Sequence, residues 1–299
     1  MGLPGKILDV SRSGLDLQRE RRRDLTLQVA IDYDAADILI SEAQRLFVPT
    51  ASAQVVIQVV EPGQLPVLHS QADALVAIVG SGSEEMQSLL GAAQSRGIPH
   101  VRLSDSATCL VTTKDVQGID SDILVLGDDP AALFDQELAG WLSDALPAKR
   151  LVLAHNLPFA RRAVATEYIR STAVQNAIVG GVVIIPGADM PVMTANQAKM
   201  VLQIAATYGE DIGLARVREI LGVLGGAVVM RAAARQVVGL IPALGWAMKS
   251  GIAYAGTLAI GYAAIRYFEG TSDNPSVSRR VDEILTRTAG PAKGPNSGE

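Results

Sequence analysis

The alternation of apolar and polar positions divides the chain into two halves. Between Leu25 and Trp141, short runs rich in Val, Ile and Leu alternate with longer segments of helical periodicity. Such runs are typical of buried parallel strands, and the segments between them are typical of helices that cover a sheet. We predict six strands, at Leu25–Ile31, Ala53–Val60, Ala74–Val79, His100–Leu103, Cys109–Thr112 and Ile123–Leu126.

Capping signals mark the helices between these strands, which are predicted at Ala35–Phe47, Ser83–Arg96 and Ala131–Leu146. Ser81 and Glu84 have the spacing of a capping box before the second helix. Asp34 or Asp37 is the candidate cap of the first helix, and Asp129 precedes a proline at the start of the third. The first half is therefore predicted to be a mainly parallel α/β domain of the Rossmann or GTPase-like class.

After Ala148 the strand signals end and helical periodicity continues alone. Helices are predicted at Lys149–Asn156, Phe159–Val179, Asn196–Tyr208, Gly213–Leu224, Ala227–Ile241 and Ala243–Tyr267. The second half is therefore predicted to be all-α. We expect four parts: a peripheral segment (1–24), an α/β domain (25–147), a helical module (148–270) and a polar tail (271–299).

The helical module is apolar, and its densest part is Gln236–Phe268. Gly251, Ala255, Ala259 and Ala263 recur every fourth residue, which predicts a smooth strip for close helix–helix contact. Its uncharged runs are short for a bilayer, which takes ~20 apolar residues to cross. A soluble bundle, a membrane-associated hairpin and spanning helices all remain open, and the strip also leaves open a transporter-like or channel-like assembly.

The net charge of −5 is unevenly distributed. Residues 1–150 carry 12 Lys and Arg against 21 Asp and Glu, whereas residues 151–299 carry 14 against 10. An acidic first half argues against a nucleic-acid partner, because phosphate binding needs a basic surface. Between positions 221 and 268 the only charged residues are basic, which favours an anionic membrane surface or an acidic partner: Arg231, Arg235, Lys249 and Arg266.

Familiar catalytic and cofactor-binding motifs do not occur in the sequence. No G-x-x-x-x-G-K-[ST] motif is present, and the first strand is followed by the acidic turn Asp32–Asp37. The three histidines lack ligand spacing, and Cys109, the only cysteine, lies in a strand pattern. We predict no cofactor, no metal, no catalytic residue and a reducing compartment.

One candidate site is the glycine-containing turn after the third predicted strand. Gly80, Ser81 and Gly82 begin a G-x-G-x-x-E pattern at the start of a helix. Helix N-termini bind anions, so an unusual nucleotide-binding protein is the alternative function. The pattern has glutamate where the dinucleotide fingerprint has its third glycine.

A second candidate is a polar group between two apolar segments. Such side chains need partners once they are buried, so they form either a site or helix caps. In the second case Thr194 caps a helix that begins at Ala195 or Asn196. The group consists of Asp189, Thr194, Asn196, Gln197 and Lys199.

Three stretches of the second half carry a family likeness: AKRLVLAHNLPFARRAVATEYIRSTAVQNAIVGG, IPGADMPVMTANQAKMVLQIAATYGED and EILGVLGGAVVMRAAARQVVGLIPALGWAMKSGIAYAGTLAIGYAAIRYFEG. From Ala148 to Gly270 the chain resembles the YcjF-like helical module, a bacterial family of unknown function often attached to Era-like GTPase domains. The resemblance implies membrane association and no established catalytic activity.

The same resemblance implies that the first half is a GTPase-type domain without its motifs. Asp32–Asp37 stands where the P-loop would be, and Ser104-Asp105-Ser106-Ala107 stands where N-K-x-D would be. We therefore predict a non-enzymatic scaffold or regulatory protein with a pseudo-GTPase-like domain that binds a protein partner. The helical module would contact the inner face of the cell membrane from the cytoplasm. Assembly into a homo-oligomer is a further possibility.

Overall fold

The computed structural model describes residues 16–105, 122–127, 129–182, 190–210 and 245–273. The chain forms two compact units. Leu15–Tyr168 forms an α/β unit, and Ile169–Glu299 together with Met1–Gly14 forms a second unit, called the helical unit because its described segments are helices. The predicted fold class, a parallel α/β domain followed by helices, is confirmed.

The α/β unit contains a five-stranded sheet in which every neighbouring pair is parallel and the order is β2-β1-β3-β4-β5. Each strand lies within a residue or two of its predicted position. The remaining predicted strand, Cys109–Thr112, lies outside the described residues. The strands are β1 (Thr26–Asp32), β2 (Gln54–Val60), β3 (Ala74–Ile78), β4 (His100–Ser104) and β5 (Asp122–Val125).

The eight α-helices of the described residues follow the predicted order, with short 3₁₀ turns at Pro147–Lys149 and Pro158–Ala160 and a π-helical run at Leu133–Leu138. The predicted helices Gly213–Leu224 and Ala227–Ile241 lie outside the described residues. In chain order the helices are α1 (Asp37–Leu46), α2 (Glu84–Ser95), α3 (Pro130–Ala132), α4 (Ala139–Ala145), α5 (Arg150–Asn156), α6 (Arg161–Val182), α7 (Met190–Thr207) and α8 (Gly245–Asp273).

The two faces of the sheet are covered by different elements. Alternate residues of a strand point to opposite faces, so β1 contributes Val29 to one core and Ala30 to the other. The first core is completed by α1, the π-helical run and α4 to α6, and the second by α2 and Leu68 of the β2–β3 connection. Burial on both faces explains why these strands are nearly continuous apolar runs.

The boundary between the units differs from the expected one at 147. Val152, Leu153 and Val164 are fully buried in the first core of the sheet. Asn156 is buried as well, and its Oδ1 accepts a hydrogen bond of 2.8 Å from the N–H of Ala53. Residues 148–168 therefore belong to the α/β unit, because their apolar side chains cover its sheet.

In the helical unit, α6 runs antiparallel to α8 and α7 runs parallel to it. Gly181 of α6 lies against Ser250 of α8, and Ile169 lies against Gly261. Toward the other end, Tyr208, just after α7, stacks on Phe268 with ring centroids 6.2 Å apart. These contacts fix which levels of the three helices face one another.

The predicted small-residue strip is not the packing face of α8. Gly251, Ala255 and Ala259 are exposed. The buried face passes instead through Ala253, Thr257, Gly261, Ala264 and Phe268. This prediction was wrong because it considered only the spacing of the small residues. The neighbouring helices pack instead against a face that includes the polar Thr257 and the bulky Phe268.

Gly261 permits the close approach of α6 and α8. A Cβ there would meet three carbons of the buried Ile169, two of them at 2.8 Å. We expect Gly261→Ala to lower the free energy of unfolding by about 1–3 kcal/mol, as overpacked cores do.

Gly256 of the same helix is the matched control, because a Cβ there meets nothing within 4 Å. Gly256→Ala should be neutral or stabilising by up to about 1 kcal/mol, since alanine favours the helix. The measurement is the urea midpoint of the whole chain followed by circular dichroism. Equal midpoints for the two variants would contradict this packing.

Within the described parts of the chain, no helix combines the length and apolar character that crossing a bilayer requires.

Candidate functional site

The topology of the α/β unit points to the carboxyl ends of β1 and β3. These neighbouring strands lead into α1 and α2, which pack on opposite faces of the sheet. Doubly wound sheets bind ligands in the crevice that opens where connections diverge in this way. The predicted turn Gly80–Gly82 lies at this point, beside Asp32 and Asp34 at the end of β1.

The carboxylate of Asp32, at the end of β1, binds the residue that precedes α2 across this crevice. It is fully buried, and its Oδ1 accepts a hydrogen bond of 2.7 Å from the Ser83 hydroxyl. Its Oδ2 accepts one of 3.2 Å from the Ser83 N–H. Ser83 Oγ in turn accepts from the Met86 N–H at 3.2 Å, which makes Ser83 the N-cap of α2. The capping box predicted for Ser81 was therefore wrong by two residues.

Asp34 makes the second link between the two turns. Both its carboxylate oxygens accept from the Ser81 N–H, at 3.1 and 3.2 Å. A Cβ on Gly80 would meet the Asp34 carboxylate and, at 2.6 Å, its backbone carbonyl, so only glycine fits here. Asp34 does not cap α1, whose N-cap is Ala36 without a side-chain bond, because its carboxylate is used across the crevice.

These contacts make phosphate binding at the turn unfavourable, because negatively charged carboxylates already occupy it. The N–H groups of Ser81 and Ser83, which could hold an anion, already donate to the chain's own carboxylates. The first turn of α2 adds Glu84 and Glu85. A 2.6 Å hydrogen bond from the Gly63 N–H lowers the pKa of Glu85, so its charge persists to lower pH. The helix N-terminus therefore holds carboxylates where a nucleotide would place phosphate.

We expect GTP, GDP, ATP and NAD, each with Mg²⁺, to leave the melting temperature unchanged. A nucleotide present at a hundred times its Kd would stabilise the fold by about 2.7 kcal/mol, which a thermal-shift assay detects. Sodium sulfate at matched ionic strength is the control for salt effects. A saturable rise with one nucleotide but not with sulfate would overturn this reading of the turn.

No cluster of three or more His, Cys, Asp or Glu side chains suited to a metal ion occurs among the described residues.

The structure brings together two members of the predicted polar group. Asn196 Nδ2 donates to Asn176 Oδ1 at 2.9 Å, and Gln197 Nε2 donates to Thr257 Oγ1 at 3.2 Å. Asn176 Nδ2 also donates to Thr257 Oγ1, at 3.0 Å. The Thr257 hydroxyl completes the network by donating to the Ala253 carbonyl at 2.8 Å. One polar network thus joins α6, α7 and α8.

The other members of the group lie elsewhere. Lys199 is exposed, and Asp189 lies outside the described residues. Thr194 is exposed within α7, which begins at Met190, so it does not cap a helix beginning at Ala195 or Asn196. The sequence reading missed Asn176 and Thr257, whose signal is a single polar residue on the apolar face of a helix.

This network has the properties of a structural clamp. Asn176 and Thr257 are fully buried, and the Thr257 hydroxyl uses its donor and both acceptor sites. A buried network with satisfied groups specifies one packing of its helices, since any shift leaves polar atoms unpaired.

We expect Thr257→Val to lower the free energy of unfolding by about 1–3 kcal/mol, because the buried amide of Asn176 and the half-buried amide of Gln197 lose their acceptor. Thr257→Ser keeps the hydroxyl and is the matched control, with a smaller loss from the missing methyl group. Urea denaturation of the two variants beside the unchanged chain measures the difference. A valine variant as stable as the serine variant would exclude the clamp.

The predicted basic residues are described only in part. Arg266 is exposed on α8. Lys249 lies in α8, but the position of its side chain is outside the described part of the chain. Arg231 and Arg235 lie wholly outside the described residues.

One end of the helical unit concentrates exposed apolar side chains. The contacts of Gly181 with Ser250 and of Asn176 with Thr257 place segments 174–182, 190–199 and 245–257 at the same end. These segments hold no Asp or Glu. We call this the apolar end, and its exposed large apolar residues are Val174, Ile178, Val192, Ile252 and Tyr254.

The opposite end of the unit is different in chemistry. There the Tyr208 hydroxyl donates to Glu269 at 3.0 Å, close to the ring stack with Phe268. Polar and acidic groups thus lie at one end, and exposed apolar side chains lie at the other, whose three segments contain no carboxylate. Clustered exposed apolar side chains mark a contact surface rather than ordinary surface variation.

No protein-family model and no curated protein matches this sequence. The likeness of residues 148–270 to the YcjF-like family therefore stays a prediction.

Proposed function

We propose that this chain is a non-enzymatic scaffold or regulatory protein that binds an anionic membrane surface through its helical unit. The α/β unit, a pseudo-GTPase-like domain, would present an acidic surface to a protein partner. Such a protein would work in the cytoplasm, against the inner face of the cell membrane. The apolar end of the helical unit carries this proposal.

The apolar end has the chemistry of a membrane contact. Ile178 is 59 % exposed and Ile252 is 57 % exposed, and burying the remaining surface of each in an apolar phase would contribute about 1–2 kcal/mol. Lys199 and Lys249 belong to the same end by sequence, and a lysine near an anionic surface contributes about 1 kcal/mol. The three segments contain no carboxylate, so their own side chains would not repel anionic headgroups.

The α/β unit supports the second part of the proposal through what occupies its crevice. Asp32 and Asp34 satisfy the N–H groups that would hold phosphate, and the acidic residues of α2 repel it. A domain of this topology that binds no nucleotide would instead present its surface to a protein partner. Its excess of carboxylates favours a basic surface on the partner.

Flotation with vesicles tests the membrane part of the proposal. We expect the full chain to float with vesicles that contain phosphatidylglycerol and to float much less with phosphatidylcholine alone. The double variant Ile178→Glu and Ile252→Glu should reduce the bound fraction at least about tenfold, because it loses apolar burial and adds negative charge.

Leu65→Glu is the matched control, because Leu65 is 83 % exposed and belongs to the α/β unit rather than to the segments of the apolar end. It should float like the unchanged chain. Failure of the unchanged chain to float at low salt would refute the membrane part. Unchanged flotation of the double variant would exclude the apolar end as the contact.

A further inference from the structure

The outer edge of β2 is an unprotected strand. β2 ends the sheet, and no described strand pairs with its outer side. Its seven residues, QVVIQVV, include no charge and no proline, and all seven pair with β1 without a bulge. Natural sheets usually protect such edges with charges, prolines, bulges or short strands. β2 has none of these protections.

Two hydrogen bonds show which backbone groups face outward. The Gln54 N–H donates to Leu25, and the Val60 carbonyl accepts from Tyr33, so the even-numbered residues of β2 face β1. Because strand residues alternate, the N–H and C=O groups of Val55, Ile57 and Val59 face the open edge.

The side chains of the same three residues form an apolar row. They point to the face of the sheet on which α1 packs, but α1 covers β1 and leaves the outer part of β2 open. Ile57 is 49 % exposed and Val59 is 56 % exposed, while Val55 packs partly against the core. The edge therefore combines backbone groups that pair with no described strand and exposed β-branched side chains.

We propose that two copies of this chain pair through β2, antiparallel and centred on Ile57, so that their sheets join into one. In this register Ile57 lies opposite itself, and Val55 of each copy lies opposite Val59 of the other. Every outward-facing N–H and C=O group then finds a partner, giving about six hydrogen bonds.

The charge pattern favours a second copy as the occupant. Across the two-fold axis Glu61, just beyond β2, falls opposite Ala53, so no carboxylate meets another along the strands. On the face of the apolar row the paired side chains are Val and Ile, which are favourable cross-strand partners, and on the other face Gln54 falls opposite Val60 and Gln58 opposite Val56. The acidic excess of the unit lies outside this uncharged strand, so two copies can meet here without like charges in contact. This pairing does not depend on the proposed membrane binding.

Mass measurement across a concentration series tests the pairing in the full chain. We expect the mass to rise from 31.4 kDa toward 62.8 kDa, twice the chain mass, as concentration increases. Ile57→Lys should weaken the dimer about tenfold or more, because two ammonium groups would face each other at the axis. Leu65→Lys, an exposed apolar position outside the strand, should leave it unchanged.

Cysteine substitution tests the register. In a Cys109→Ser background, Ile57→Cys should give a disulfide-linked dimer on oxidation. Directly opposite hydrogen-bonded residues have Cα atoms about 5.5 Å apart, within disulfide range. Val59→Cys should stay unlinked, because the two copies of that position lie about 14 Å apart along the strands.

A monomeric mass throughout the series, with unchanged melting, overturns the proposal and leaves the edge to an extended segment of another protein. Preferential linkage through Val59→Cys overturns the register. A dimer insensitive to Ile57→Lys places the interface elsewhere and likewise overturns it. Vesicle binding is measured separately, so failure of the dimer and failure of the membrane contact are distinguishable.

Discussion

A parallel sheet must be covered on both faces, and this constraint governs the architecture of the α/β unit. The connection between β2 and β3 contains no helix, so a loop covers β1 and β2 on one face. The buried amide of Gln28 holds that loop by donating to the Val67 carbonyl at 2.9 Å and accepting from the His69 N–H at 2.8 Å. The side chain of Gln28, in the middle of the sheet, thus holds a loop over the face that a helix would otherwise cover. On the other face, the outer part of β2 remains uncovered.

The strands were predictable because parallel strands buried on both faces read as short apolar runs. The Asp129 cap was predictable for a related reason: its carboxylate accepts from the Ala131 N–H within the next turn, as the sequence around Pro130 indicates. Local signals of this kind require only neighbouring residues. The strand order and the exposed edge of β2 depend on pairing between distant segments and could not be inferred from them.

The candidate sites depend on contacts that neighbouring residues in the sequence do not predict. Ser81 and Ser83 are equally good caps in sequence, and only the buried carboxylate of Asp32 selects Ser83. Asn196 and Gln197 were found as polar residues in an apolar setting, but their partners lie on α6 and α8, far away in the chain. The small-residue strip of α8 was misleading because a pattern identifies a possible packing face, while the neighbouring helices decide which face packs.

The position of the unit boundary inside α6 bears on how this protein could be divided or recombined. A shortened chain ending at Leu146 would remove Val152, Leu153 and Val164 from the core and would leave the Ala53 N–H without Asn156. The segment that could be exchanged between proteins as a folding module therefore extends through Tyr168. Genetic fusions made at Pro147, where the composition changes, would divide a hydrophobic core rather than join two domains.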